Sequence, residues 1–393
     1  MATRESTHWS RVAFGVSLGA YAAYQQFKLP PILPDFLARY PHSPVVAAGF
    51  MSVYALVGLG ASAALGRKLD RHMGIGVAAL IGLTVTGITL ALAAPQSAPA
   101  MLLSRAIEGL AFAIAAIAGP AIAAAAAKPR DLPVVTGLIA AWIPLGQIGA
   151  ALAALAFRDW HWLWIIGLLL GLPLGLWAWF LLRESRVGRA APRPAPRHPD
   201  RAQHRRLMLA GGIFLLWSGQ YFAFMTWLTQ YLTSVLALGA AASVLAYLLP
   251  VVVLLAFNLL TGWALRHGLK LIPALIAALI SQALVWFAQP WLFGIPGIVG
   301  LVVYGIGAGV TPTCLFQLPH AIARGAAGAS SFGIVMTGRN IGVFIGPLLL
   351  AFLIGAERYA LHLSWTGAAQ AIACLTLAAA VVAAILGRSL KAN

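Results

Sequence analysis

Four charged side chains sit deep inside long apolar stretches of the chain: Lys28, Arg105, Glu108 and Arg339. Such groups are costly in hydrocarbon, at least about 2.5–3.5 kcal/mol near the centre of a membrane helix, so they usually face an interior or a cavity. Three cations against one anion leave the set net positive, and a site of that sign attracts anions. Arg339, in MTGRNIGVFIGP, has no acidic residue in the apolar runs of its half of the chain. A guanidinium so placed must find backbone carbonyls, water or a bound anion, and its planar fork matches carboxylate or phosphate bidentately.

Arg105 and Glu108 stand three residues apart and share one helix face, where they can pair. They form either a structural ion pair or a site where Glu108 takes up a proton. Burial raises a carboxyl pKa and neighbouring Lys28 and Arg105 lower it, so the residues alone do not decide between the two. Lys28 lies in YQQFKLPPILPDF. Ser17, Tyr21, Tyr24, Lys28, Pro31 and Asp35 recur at steps of four and three, which makes one polar stripe along a helix. That stripe is expected to line an internal surface. Three roles are open to Lys28: pairing with Glu108 or partial snorkelling to the membrane boundary, substrate contact, or coupling.

Plausible cavity walls surround these charges. They are Trp217, Gln220, Tyr221 and Phe224, then Tyr247 and Asn258, then Tyr304 and Thr311. As a packed stripe they would be core; as a cage they would suit an organic anion with an apolar or aromatic body. The substrate-binding candidates are Tyr21, Tyr24, Lys28, Arg105, Gln220, Tyr221, Tyr304 and Arg339, with Glu108 as the proton candidate.

The elements that must hold these residues are membrane spans. The 393 residues are 61% hydrophobic and only 9% charged, against about 45–50% and 25% in soluble domains. Mean hydropathy is +0.89. A single soluble core cannot absorb that much apolar surface, because cores stop growing at roughly 250–300 residues. A window of about 20 residues finds runs near 11–38, 44–65, 74–94, 98–127, 131–156 and 160–182, then 207–238, 241–265, 269–289, 292–321, 326–354 and 361–387. The expected fold is an all-α polytopic membrane protein, twelve transmembrane helices in two pseudo-repeated six-helix bundles. The expected domains are 1–182, a linker at 183–206, and 207–393. The first apolar run is too long for the h-region of a signal peptide. Cys314 and Cys374 lie inside apolar runs, so no disulfide framework is implied.

Lys and Arg in the short loops orient the chain. Arg67, Lys68, Arg71, Lys128, Arg130, Arg266, Lys270 and Arg324 fall on one side, with Arg4, Arg11, Arg388, Lys391 and the linker. The other side holds only Arg39, Arg158 and Arg358, near Asp35, Asp159 and Glu357. Both termini are therefore expected in the cytoplasm, in a bacterial-type plasma (inner) membrane. The Arg- and Pro-rich linker is either a disordered connector that enforces topology or a polybasic segment touching anionic inner-leaflet lipids. The pI of 10.9 comes largely from these segments. It does not argue for nucleic acid, since no folded basic face carries it.

The halves echo each other. GRKLDRHMG (Gly66 to Gly74) follows the second run and GWALRHGLK (Gly262 to Lys270) the eighth. WIPLGQIG (Trp142 to Gly149) lies in the fifth and GVFIGPLLL (Gly342 to Leu350) in the eleventh. Small residues there let helices approach closely, and Pro144 and Pro347 are expected to loosen the helix. Gly66, Asp70 and Arg71 form the head of a loop signature, although Gly74 comes one residue late and Ile75 and Gly76 replace its basic pair. Arg105, Glu108 and Gly109 match a fourth-span signature, and Pro144, Gly146 and Gly149 match part of a fifth-span one. On these motifs, and over essentially its whole length, the chain resembles the major facilitator superfamily. The resemblance implies alternating access, two six-helix halves rocking around a midplane site under an ion gradient or by exchange. It also implies that Gly66, Asp70 and Arg71 take part in a cytoplasmic gating latch.

Other classes are excluded on residues. The nine histidines fall in loops or at span ends with no HExxH, and no G-x-x-x-x-G-K-[ST] phosphate loop occurs. Neither an enzyme nor an ATP-driven pump is expected, and no cofactor or metal. The expected function is a secondary active transporter of a small organic solute, an organic anion by the charge of its interior, with protons as a candidate coupling ion. The alternative is a polyspecific proton-coupled drug or metabolite exporter. In the family such exporters usually carry an acidic residue in the first span, where this chain has Lys28.

Overall fold

The computed structural model describes residues 6–56, 69, 73–128, 131–157, 159–183, 200–322, 329–355 and 364–391. Helix is the only regular structure among them, as lipid demands of a chain that must satisfy its own backbone. The helices are α1 (Trp9–Phe27), α2 (Leu33–Arg39), α3 (Pro44–Ser52), α4 (Met73–Ala93), α5 (Ala98–Ala126), α6 (Leu132–Ala140), α7 (Trp142–Ala156) and α8 (Trp160–Arg183). They continue with α9 (Arg201–Ser234), α10 (Ala240–Arg266), α11 (Leu271–Ala288), α12 (Gly294–Ile322), α13 (Ala329–Ile354) and α14 (Trp365–Lys391).

Each apolar run of the sequence carries helix. Nine helices among the described residues are long and apolar enough to cross a membrane, and Pro44–Ala55 and Trp142–Ala156 are shorter apolar helices. At 19 residues α1 has the length of a span; Arg11, Gln25 and Gln26 lower its hydropathy. The fifth run is split into α6 and α7. Pro144 has no N–H for the carbonyl of Ala140, and α6 ends at Ala140. At the corresponding Pro347 the helix is not divided, and α13 runs on to Ile354.

Helix starts follow from local chemistry. Ser43 and Ser97 cap α3 and α5 by accepting from the backbone N–H groups of Val46 and Ala100. Asp200 and Gln203 form a reciprocal capping box that starts α9 at the end of the basic linker.

The chain divides into two compact units, Met1–Pro41 with Leu56–Ala191, and His42–Ala55 with Pro192–Asn393. In the first, α1 is central and packs on α5, α7 and α8. In the second, α9 is central and packs on α13, α14 and α12. The internal echo is visible in these packings. Gly146 of α7 lies against α1 so closely that an added Cβ would meet Ala23 Cβ and Tyr24 N at 2.5 Å. Gly342 of α13 lies as closely against Ser218 and Gly219 of α9. His42–Ala55 joins the second unit because α3 packs along α13, with Pro44 against Gly355.

Candidate functional site

In the first unit Tyr21, Tyr24, Lys28 and Pro31 of the expected polar stripe are buried, as is α1 from Tyr21 to Phe27, whereas Ser17 is half-buried and Asp35 is exposed. The stripe does not follow one helix, because α1 ends at Phe27 and Asp35 lies in α2. The stripe's tyrosines are fixed by backbone. Tyr21 Oη donates to the carbonyl of Gly167 at 3.0 Å and Tyr24 Oη to that of Leu163 at 2.8 Å, both on α8.

Beyond them α1 ends, and the charges explain how it can end where the chain is fully buried. Pro30 has no N–H to offer the carbonyl of Gln26 four residues earlier. Arg105 of α5 fills that gap: Nη2 donates to Gln26 O at 2.8 Å and Nη1 to Gln25 O at 2.9 Å. Glu108, one turn on, accepts from Arg105 Nη1 at 2.5 Å and from Lys28 Nζ at 2.8 Å. Lys28 also donates to Gln25 Oε1 at 2.7 Å and lies 4.4 Å from the centre of the Trp164 ring, a favourable cation–π geometry. Lys28 and Arg105 are 0% exposed and Glu108 1%. The cluster is a closed, hydrogen-bonded unit of two cations and one carboxylate. Gly87 of α4 makes room for it, since a Cβ there would meet Glu108 Cγ at 2.6 Å.

The second unit brings other residues together. Gln220 of α9 accepts from Trp286 Nε1 at 2.7 Å and Tyr304 Oη at 2.9 Å, and donates to Gln282 Oε1 at 2.8 Å. Gln282 also accepts from Trp217 Nε1 at 3.2 Å and donates to Thr311 Oγ1 at 3.0 Å. Tyr221 stacks on Trp217 with ring centres 5.3 Å apart, and Phe224 on Tyr304 at 3.8 Å. Asn258 Oδ1 accepts from Thr313 at 2.7 Å. Of the walls read from the sequence, Trp217, Gln220, Tyr221, Phe224, Tyr304 and Thr311 are thus joined through Gln282 and ring stacking into one layer, while Asn258 bonds Thr313 and Tyr247 is buried.

Arg339 is different. It is 7% exposed; its guanidinium donates once, from Nη1 to Asn340 Oδ1 at 3.1 Å, and lies 5.9 Å from the Phe222 ring centre. Its backbone is pinned to α9, where Ser218 Oγ donates to Arg339 O at 2.9 Å. Acidic side chains are absent from the described helices of this unit beyond the α9 cap. Among the described residues the guanidinium therefore has donors to spare and no counter-ion.

Sequence reasoning missed Gln282, Trp164, Asn340 and the carbonyls of Gln25 and Gln26. Gln282 could have been found, being the one amide in LIPALIAALISQALVWFA. Trp164 could not, because WHWLWIIG offers three tryptophans of equal standing. Asp70 and Arg71, with Gly66, lie outside the described residues. Among the described residues no group of three metal-ligating side chains occurs.

The Major Facilitator Superfamily sequence profile matches residues 12–347. The chain belongs to the major facilitator superfamily. No curated protein sequence matches it. Solved structures agree on the fold. The nucleoside transporter NupG (D323A mutant) superposes with a TM-score of 0.72 at 13% identity, over 95% of this chain and 99% of NupG. The human organic anion transporter MFSD10 (TETRAN) gives 0.68 at 17% identity, over 95% and 99%. A bacterial homolog to the human lysosomal transporter Spinster, inward-facing and occupied, gives 0.68 at 14% identity, over 97% and 95%. As a member of this superfamily the protein is a multi-pass membrane transporter of a small molecule, and not an enzyme.

Proposed function

We propose that this superfamily member carries a small organic anion whose charge is met by Arg339. The carrying observation is a buried guanidinium with one protein hydrogen bond and no counter-ion among the described residues of its unit. A buried charge without a partner is strongly destabilising, so an anionic ligand would gain what the protein leaves unpaired. The three structural neighbours share the fold at 13–17% identity, and the two described by cargo differ, one a nucleoside and one an organic anion transporter, so the anion assignment rests on Arg339.

The Lys28–Arg105–Glu108 cluster we assign to holding span one rather than to substrate. Its donors are committed to Glu108 and to the carbonyls at the end of α1. This moves Lys28, Arg105, Tyr21 and Tyr24 from binding to positioning. It also leaves Glu108 as the compensator of two cations rather than a proton carrier.

The test is thermal stability of the purified full-length protein with panels of organic anions and lipophilic cations, on wild type and Arg339→Ala. A ligand at 100 times its Kd adds about 2.7 kcal/mol to stability. Anions should stabilise wild type and not the variant. Stabilisation by cations alone, unchanged in the variant, would replace this reading with the drug-exporter one.

A further inference from the structure

We propose that the group Arg339 receives is a single carboxylate of one negative charge, and that Asn340 sets the guanidinium fork that selects it. This rests on the organic-anion assignment above.

The first support is charge. Among the described residues of the second unit, the other Lys and Arg side chains lie in the terminal turns of α9, α10 and α14 or beside the start of α11. Arg339 alone stands in the interior of a span. One guanidinium neutralises one negative charge. A dicarboxylate or phosphate dianion would leave a net negative charge in apolar surroundings, a costly arrangement.

The second support is geometry. A guanidinium has five N–H donors in a fixed plane. Asn340 Oδ1 takes one of them at 3.1 Å, and Ser218 fixes the backbone from which the side chain starts. The Phe222 ring lies beside the guanidinium and offers it no acceptor oxygen. The edge left over presents parallel N–H bonds, which a planar carboxylate meets with both oxygens. The asparagine amide can orient that fork because it is neutral: it accepts without discharging the arginine.

The experiment uses full-length protein in detergent and matched probes: benzoate, phthalate and phenyl phosphate, and hexanoate, adipate and hexyl phosphate. Dissociation constants are read by calorimetry and by thermal shift for wild type, Asn340→Asp and Arg339→Lys. The wild type should bind each monocarboxylate at least about tenfold more tightly than its partner dianions, about 1.4 kcal/mol. Asn340→Asp keeps the side chain's size and supplies a built-in counter-ion. It should raise the ligand-free Tm and weaken monocarboxylate binding at least about tenfold. Those two changes have opposite signs, which a misfolded variant cannot produce. Arg339→Lys keeps the charge, so the preference for monoanions should remain, and removes the planar fork, so monocarboxylate binding should weaken at least about tenfold.

Dianions binding as tightly as monocarboxylates, with binding abolished by Asn340→Asp, would overturn the single-carboxylate inference and leave the organic-anion assignment standing. Monocarboxylate binding that survives Asn340→Asp would overturn the role of Asn340. No binding of any probe, or binding indifferent to both variants, would bring down the inference and the assignment together.

Discussion

At the scale of single residues, the cluster in the first unit is governed by charge balance. Glu108 serves two cations at 2.5 and 2.8 Å. Removing it in Glu108→Gln leaves both buried and uncompensated, an arrangement that costs about 3–5 kcal/mol when one partner of a buried pair is lost. Lys28→Met instead leaves Arg105 and Glu108 as a neutral pair. Its apolar side chain packs where the lysine stem and Trp164 now meet. The expected order of thermal midpoints is therefore wild type, then Lys28→Met, then Glu108→Gln well below. Equal losses would show that charge balance does not govern the cluster. The three charges were legible in the sequence, and so was a structural pairing. What was not legible is that Arg105 completes a broken helix. The signal was present in Pro30 and Pro31, but its meaning depends on where α1 stops and which neighbour reaches Gln25 and Gln26.

At the scale of elements, the stability of the second unit depends on how closely α13 approaches α9. Two glycines of that contact make opposite demands. A Cβ on Gly346 would meet the backbone of Gly219, at 2.7 Å from its carbonyl carbon and 2.8 Å from its Cα. Backbone in mid-helix cannot yield, so Gly346→Ala must push the helices apart, at about the 1–3 kcal/mol typical of overpacking. A Cβ on Gly219 meets nothing nearer than 3.7 Å. Gly219→Ala is therefore tolerated, and gains up to about 1 kcal/mol of helix propensity. Thermal unfolding of the two variants should move in opposite directions, and a shared direction would contradict this geometry. The repeated Gly and Pro spacing showed from sequence that spans five and eleven make close contacts. It did not show that Pro144 divides its span while Pro347 does not. Both prolines remove the same hydrogen bond, and the surrounding packing decides whether the helix survives.

At the scale of the whole molecule, composition and hydropathy were enough for the class and for twelve runs in two sets, because lipid allows few other solutions. The grouping of His42–Ala55 with the second unit was beyond them, since it arises from packing on α13 that no local pattern announces. Orientation is the property best argued from charge at this scale. The turn between α10 and α11 carries Arg266 and Lys270, and α14 ends with Arg388 and Lys391, whereas the Gln289–Phe293 connection at the other end of α11 has no basic residue. In the first unit Arg39, on the side poor in basic residues, sits 4.0 Å from Asp159, so even that charge is partly offset. Leu269 and Phe293, 43% and 63% exposed, flank α11, whose 18 residues separate them by about 27 Å along the axis. With Cys314→Ala and Cys374→Ser as background, a membrane-impermeant maleimide should label Phe293→Cys on intact cells. Leu269→Cys should be labelled only after permeabilisation. Charge bias acts through retention of basic loops during insertion, so the reverse pattern would mean that another segment, such as the basic linker, overrides the short loops.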